Sequence, residues 1–308
     1  MKTMPSQQHI YAFKSDLQAV ETVALGSTVC FDALDALGGQ VRSEADVLSG
    51  LDFDRVNPAT GPLAIDGVDP GDTLVVRIHS IDMEAQGAIV TGPGLGVLGD
   101  EISEHRTRIL PIRNGQVWFA DLALEASPMV GVMGVAPATG SYPTGTAHRH
   151  GGNMDTKEIG VAATIYFPVF QSGGLLAMGD VHAVMGDGEV CVSACEVAAR
   201  ITVQVDRIVG RSIAWPMVET ADAVHILVSL PTIEEALVEA TRQAVDLLQR
   251  VQSLRKEDAV MLASLAVDIG ISQLVDPNKT AKATIPKTIL PASVGTLFPP
   301  MAGEQATG

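Results

Sequence analysis

The chain reads as an α+β, β-rich protein, with mixed sheets or sandwich- or barrel-like β layers and a helical segment near the C-terminus. Three observations predict this. The first 230 residues break into short apolar runs separated by turn residues, in a chain that holds 30 Gly and 17 Pro among 308 residues. Past Pro231 the apolar spacing changes from every second residue to every third or fourth. Strands and helices are not interleaved, which argues against a doubly wound sheet or a barrel of alternating strands and helices.

In chain order, "TLVVRIHSI" at 73 to 81 alternates, with Leu74, Val76 and Ile78 on one side and Arg77 and His79 on the other, as a half-buried strand does. "GVDPGDTL" supplies the turn before it. "GPGLGVLG" places Gly94, Gly96 and Gly99 in a dinucleotide-like spacing, but "DEISEHRTR" follows where an apolar helix would be required. The expectation there is a tight glycine loop near a ligand or a neighbouring backbone. From Ile159 to Gly179 no residue is charged, a run long enough to raise a membrane span. Pro168 and the "QSGG" turn divide it into strand-length pieces such as "ATIYFPVF", so buried sheet is expected. "EVCVSACEVAARITVQVD" at 189 to 206 reads as one strand, or two with a bulge.

Thr232 and Glu235 form a capping box, and Ile233, Leu237, Ala240, Ala244, Leu247, Val251 and Leu254 recur at helical steps behind it. A second helix, about "EDAVMLASLAVDI", is apolar nearly all round and is expected to be buried and to end at Gly270. "ISQLVD" and "ATIPKTIL" read as strands around the turn "DPNK". Length suggests one large domain or two modest ones, and the expectation is two lobes, 1–145 and 146–308, the second carrying both helices and the polar clusters.

A net charge of -16, from 36 acids against 20 Lys and Arg, argues against nucleic acid or anionic membrane as partner, because either demands a basic footprint. Cysteines 30, 191 and 195 form no spaced framework, and the N-terminus lacks a secretory apolar core. The expected compartment is the reducing cytoplasm.

Two polar clusters interrupt the apolar middle of the chain. In "GDVHAVMGDGEV" at 179 to 190, Asp180 and His182 are two apart and share a side if extended, as do Asp187 and Glu189. Carboxylate with imidazole suits zinc or a similar divalent ion, while Gly186–Asp187–Gly188 also fits a solvated hairpin turn. Glu196 is the one charge between Glu189 and Arg200, so it must meet a metal or a base, carry a raised pKa, pair with Arg200, or face water at an edge. In "HRHGGNMDTKEIG" at 148 to 160, Gly151 and Gly152 permit an anion-binding turn, Asn153 and Asp155 share one side, and Lys157 and Glu158 are either acid, base or clamp or a solvated face. His148 and His150 admit an H-x-H metal reading. Cys195 is either a nucleophile or an inert core thiol.

Taken with "NPATGPLAIDGVDPGDTLVVRI", "GPGLGVLGDE", "GVMGVAP", "GGNMDTKEI", "GDVHAVMGDGEV", Glu196 and "SLAVDIGISQLVD", the chain resembles the acetamidase/formamidase family from about residue 20 to 290. The resemblance implies an enzyme that cleaves the C–N bond of a short aliphatic amide, in a β-rich two-part fold that forms homo-oligomers and often holds zinc or calcium. Carried over, the functional positions are Asn153, Asp155, Asp180, His182, Asp187, Glu189 and Glu196. The insert "SYPTGTAHRH" departs from the family's short Pro-rich approach. Joined to the residue chemistry, the expectation is a metal at Asp155, Asp180, His182 and Asp187, with Glu196, Asn153 and Lys157 catalytic, and Gly151, Gly152 and Glu189 binding substrate by way of metal-activated water. The alternatives are a metal-independent amidase using Cys195 and a binding protein without turnover.

Overall fold

The structure, a computed structural model, describes residues 1–291 together with 297 and 298. Two large, mostly antiparallel sheets share one apolar core. The first runs, in spatial order, Lys2–Met4, Thr28–Ala33, Ala199–Ile208, Thr73–Met83, Thr164–Pro168, Met217–Glu219, Ala223–Leu230, Lys279–Pro286 and Asp268–Gln273. The second has as its main path Leu122–Glu125, Gln116–Phe119, Arg106–Arg113, Gln86–Thr91, Glu196–Val197, Leu176–His182, Met129–Gly134 and Gly151–Asn153, with Ala59–Ile65 also pairing to Leu176–His182. Two parallel pairs, at Lys2–Met4 with Thr28–Ala33 and Glu21–Val23 with Ala59–Ile65, make both sheets mixed. Neither closes into a barrel.

Between the sheets, Phe31, Val76, Ile78, Ile165 and Ile201 from the first pack with Leu63, Val130, Met133, Met178 and Val181 from the second. Thr73–Met83 shows how the pattern makes the element. Leu74, Val76 and Ile78 are fully buried and Arg77 and His79 are exposed, so the two-residue period matches the pleat. The uncharged middle of the chain becomes the buried strands Thr164–Pro168 and Leu176–His182. Among the described residues no helix is long and apolar enough to cross a membrane.

The far face of the first sheet is covered by α1 (Ile233–Gln252), whose Ala236, Ala240, Ala244 and Leu248 pack on Val224, Ile226, Val228 and Ala283. Thr232 forms the predicted N-cap, with the Glu235 carboxylate bonded to its hydroxyl rather than reaching back to its amide. The Thr232 hydroxyl accepts from the Glu235 amide at 3.3 Å and donates to the Glu235 carboxylate at 2.9 Å.

Three local expectations are corrected. The second helix, α2 (Lys256–Ala266), ends before Gly270, which lies inside the strand Asp268–Gln273. It is not buried all round. Ala259 and Ala263 are buried, while Val260, Met261 and Leu265 face outward, because α2 rests on one side of α1 and nothing among the described residues covers the other. Residues 189 to 206 hold two strands, but only from Glu196 onward. Glu196–Val197 belongs to the second sheet and Ala199–Ile208 to the first, so the chain changes sheets at Ala198. The register shifts between Thr202 and Val203 where they face Ser80 and Ile78.

Candidate active site

The last residues of Leu176–His182 carry the chemistry. That strand lies between Met129–Gly134 and Glu196–Val197, and His182 stands directly opposite Glu196. Around the His182 Nε2 atom gather Asp180 Oδ1 at 3.1 Å, Glu196 Oε2 at 3.2 Å, Asp155 Oδ1 at 3.8 Å and Glu189 Oε1 at 4.0 Å. None of the five residues is more than 6% exposed. The two sequence-distant polar clusters therefore meet in one buried place. Arg200 does not neutralise Glu196; it pairs with Asp32 at 2.9 Å.

Backbone geometry brings three of these acids inward. Asp155, Asp180 and Glu189 have φ of 37°, 55° and 44°, a left-handed conformation that costs a non-glycine residue about 1–3 kcal/mol and collects at functional sites. Glu189 reaches the cluster from a turn in which its amide bonds the Gly186 carbonyl at 3.2 Å. The glycine loop predicted at 92 to 99 braces that turn from behind. The Val97 amide donates to the Val190 carbonyl at 2.8 Å, and a Cβ on Gly96 would lie 2.5 Å from that same oxygen.

The electrostatics follow from burying four carboxylates against one imidazole. Burial, with Asp180 adding to it, pushes the Asp155 carboxyl well above its usual range, and burial with Asp155 does the same to Glu189. Burial raises Glu196 to about 7 against the opposing pull of His182. Burial pulls the His182 imidazole down, but Glu196 and Asp180 outweigh it and hold His182 well above its usual value.

The donor set fits a divalent cation. Asp155, Asp180 and His182 form one triad, and His182, Glu189 and Glu196 another, each with its ligating atoms within 4.8 Å of one another. Both Asp155 oxygens, Glu196 Oε2 and His182 Nδ1 are buried without a hydrogen-bond partner, which is costly unless a ligand satisfies them. The space between the two aspartates is kept by Gly131. A Cβ there would lie 2.3 Å from Asp155 Oδ1 and 2.6 Å from Asp180 Oδ2.

Asn153 is 4% exposed and donates through Nδ2 to Asp276 Oδ2 at 2.8 Å, leaving its buried Oδ1 without a partner. Asp276 escaped the sequence reading. Its carboxyl is raised by burial and by the Glu189 charge, so it belongs electrostatically to the cluster. The one available signal was its position at the end of the family-like stretch "SLAVDIGISQLVD", where Asp-Pro also reads as an ordinary turn.

Asp187 and Lys157 lie outside this group. Asp187 pairs with Lys157 at 2.9 Å and with the buried Lys282 at 2.8 Å, and Lys282 also holds Glu158 at 2.7 Å. Asp187 and Glu189 do not share a side, because Gly186–Glu189 is a turn and not an extended hairpin arm. Gly151 and Gly152 pair in the strand with Gly134 and Met133, and the Gly151 amide donates to the His148 carbonyl at 3.1 Å. With φ of 92° and 108°, and with neighbouring carbonyls 2.3 and 2.5 Å from any added Cβ, they admit no side chain. His148 and His150 stack at 5.8 Å beside Tyr142, and burial lowers His150 to about 3. Cys195 is 2% exposed, and burial together with Glu196 pushes its thiol up to about 12.

Known proteins resemble this chain in sequence and in fold. The sequence model of the Acetamidase/Formamidase family matches residues 2–142 and 139–292. The crystal structure of a predicted acetamidase/formamidase from Thermoanaerobacter tengcongensis superposes with a TM-score of 0.91 at 39% identity, covering 94% of this chain and 96% of that one. The acetamidase of Mycolicibacterium smegmatis is 40% identical over 63% of this chain and 64% of its own length. The formamidase of Methylophilus methylotrophus is 26% identical over 62% and 61%. The chain spans about three fifths of the length of the curated relatives it matches.

Proposed function

Because this chain belongs to the acetamidase/formamidase family, we propose that it hydrolyses the C–N bond of a linear aliphatic amide, of the formamide or acetamide type, to ammonia and a carboxylate. The observation that carries this reading is the buried group of Asp155, Asp180, Glu189 and Glu196 around His182. Asp155, Asp180 and His182 would hold a divalent cation, with Glu189 completing the set. When bound, such a cation supplies Lewis-acid assistance to a water or a carbonyl oxygen. Oxygen donors with one imidazole suit zinc or calcium.

Glu196 moves the proton. Its Oε1 is fixed by the Ala194 amide at 2.9 Å, which leaves Oε2 for the reacting water, and a carboxyl near 7 can take a proton and return it at neutral pH. The proton passes from the attacking water to the departing nitrogen, which leaves as ammonia. Asn153, oriented by its bond to Asp276, offers Oδ1 to an N–H of the substrate amide and so turns the carbonyl carbon toward the water. The buried site keeps bulk water from competing with these contacts.

Against a Cys195 nucleophile stands the thiol itself, held protonated in an apolar wall. The outward Val260, Met261 and Leu265 of α2 support a homo-oligomer, and three unpaired cysteines support a reducing compartment such as the cytoplasm. Ammonia release from formamide and acetamide, before chelation, after it, and after adding back zinc or calcium, tests the reading. Turnover that vanishes and returns is expected. Turnover indifferent to chelation would transfer the reaction to Cys195, and no turnover with any cation would leave a binding protein.

A further inference from the structure

Glu189 belongs to the acid cluster and also lines a pocket of about 260 Å³. The other walls are largely apolar: Ile89, Leu110 and Val117 from neighbouring strands, Val184 just past His182, and Ala194 just before Glu196. Polar atoms along it are already committed. The Ser193 hydroxyl accepts from the Val90 amide and donates to the Val90 carbonyl, both at 2.9 Å, and Asp187 is held by Lys157 and Lys282. A molecule in this pocket would find one polar end, at Glu189, and an apolar length beyond it.

Formamide or acetamide would leave most of that length unfilled. The volume equals roughly nine water-sized groups at ~30 Å³ each, room for an amide head and an acyl chain of about four to six carbons. We infer that this pocket receives the acyl chain of the substrate, which makes the substrate class linear primary amides of medium chain length. The inference rests on the amide-hydrolase reading above and adds which amides the site favours. The carbonyl end lies beside Glu189, the cluster residue among the pocket's walls, and the chain runs past Val184 and Ala194 toward Ile89 and Leu110. Each methylene moved from water onto these walls is worth about fourfold in kcat/KM, equivalent to about 0.8 kcal/mol.

The test is ammonia release by the cation-loaded full chain across formamide, acetamide, butanamide, hexanamide and octanamide, paired with calorimetric titration of acetamide and hexanamide. The expected result is a kcat/KM that climbs about fourfold per methylene up to hexanamide and then stops climbing, with most of the gain in KM. Val184→Phe and, on a different strand, Ile89→Phe shorten the pocket and should each cut the hexanamide-to-acetamide ratio of kcat/KM at least tenfold. A series that is flat or falls from formamide, while amides are still hydrolysed, overturns the acyl pocket and leaves the hydrolase reading standing. If no amide is turned over, the hydrolase reading fails and the titration decides the pocket: tighter hexanamide than acetamide supports it, and equal affinity overturns it.

Discussion

Removing the cation and raising the pH should destabilise the protein, and the size of the effect follows from Glu196. Its carboxyl rises from 4.5 to about 7 on folding, chiefly through burial, so the folded chain holds that proton more tightly than the unfolded chain. A group shifted upward contributes stability that is fully present below pH 4.5 and is lost as pH passes 7. The contribution is about 3 kcal/mol at about 1.4 kcal/mol per pKa unit. With an unfolding entropy of about 2.1 cal/mol/K per residue, that lowers Tm by about 5 °C in a chain of this length. Asp155, Glu189 and His182 are raised as well, so they act in the same direction and make this figure a minimum. A bound divalent cation removes the need for those protons, because it satisfies ionised carboxylates. Calorimetric melts of chelated and cation-loaded protein from pH 5 to 8 should therefore diverge, the chelated form losing at least about 4 °C relative to the loaded form, since part of the Glu196 contribution is already lost at pH 5. A chelated-minus-loaded difference that stays constant or shrinks over that range would refute both the buried-acid accounting and the assignment of the cation to this cluster.

Other substitutions probe separate contacts. Gly131→Ala places a methyl group between Asp155 and Asp180, so ammonia release should fall at least about 100-fold and retained cation, measured by elemental analysis, should drop while circular dichroism remains that of a β-rich fold. Cys195→Ala should keep turnover dependent on added cation; complete loss of activity in a folded variant would restore the thiol as nucleophile. Lys282→Met leaves Glu158 without its buried partner and Asp187 with Lys157 alone, which should cost about 2–4 kcal/mol by urea denaturation. A change under about 0.5 kcal/mol would mean that these ions are solvated.

What could be read ahead of the structure was local. The alternation in Thr73–Met83 and the N-cap at Thr232 need only neighbours in sequence, and both appear. Asp180, His182 and Glu196 were legible because a charge inside an apolar run must find a partner, whichever strand supplies it. The failures share one cause. A two-residue spacing puts Asp187 and Glu189 together only on an extended chain, and the turn at Gly186–Glu189 sends one outward to Lys282 and the other inward to His182. The apolar surface of α2 says that something covers it, but not that α1 covers one side alone. Asp276 meets Asn153 across 123 residues, and no spacing rule reaches that far. Gly131 gains its meaning only from the two carboxylates that close over it.

The cluster works against the stability of the fold that contains it, and this is the strongest physical reason to regard it as functional. Three of its acids sit in a left-handed backbone, its carboxyls are buried, and several of its polar atoms lack partners. Apolar residues of similar size at these positions would leave no charge to desolvate, and such replacements are often neutral or stabilising. The surrounding strands hold the acids in place despite that penalty. Glu196 shows how: it lies two residues before the chain crosses from the second sheet to the first, opposite His182 on one strand and adjoining Gln86–Thr91 on another. With its backbone paired on both sides, the carboxylate cannot retreat to water when its proton leaves. That rigidity keeps one oxygen aimed at the same point through the whole proton transfer.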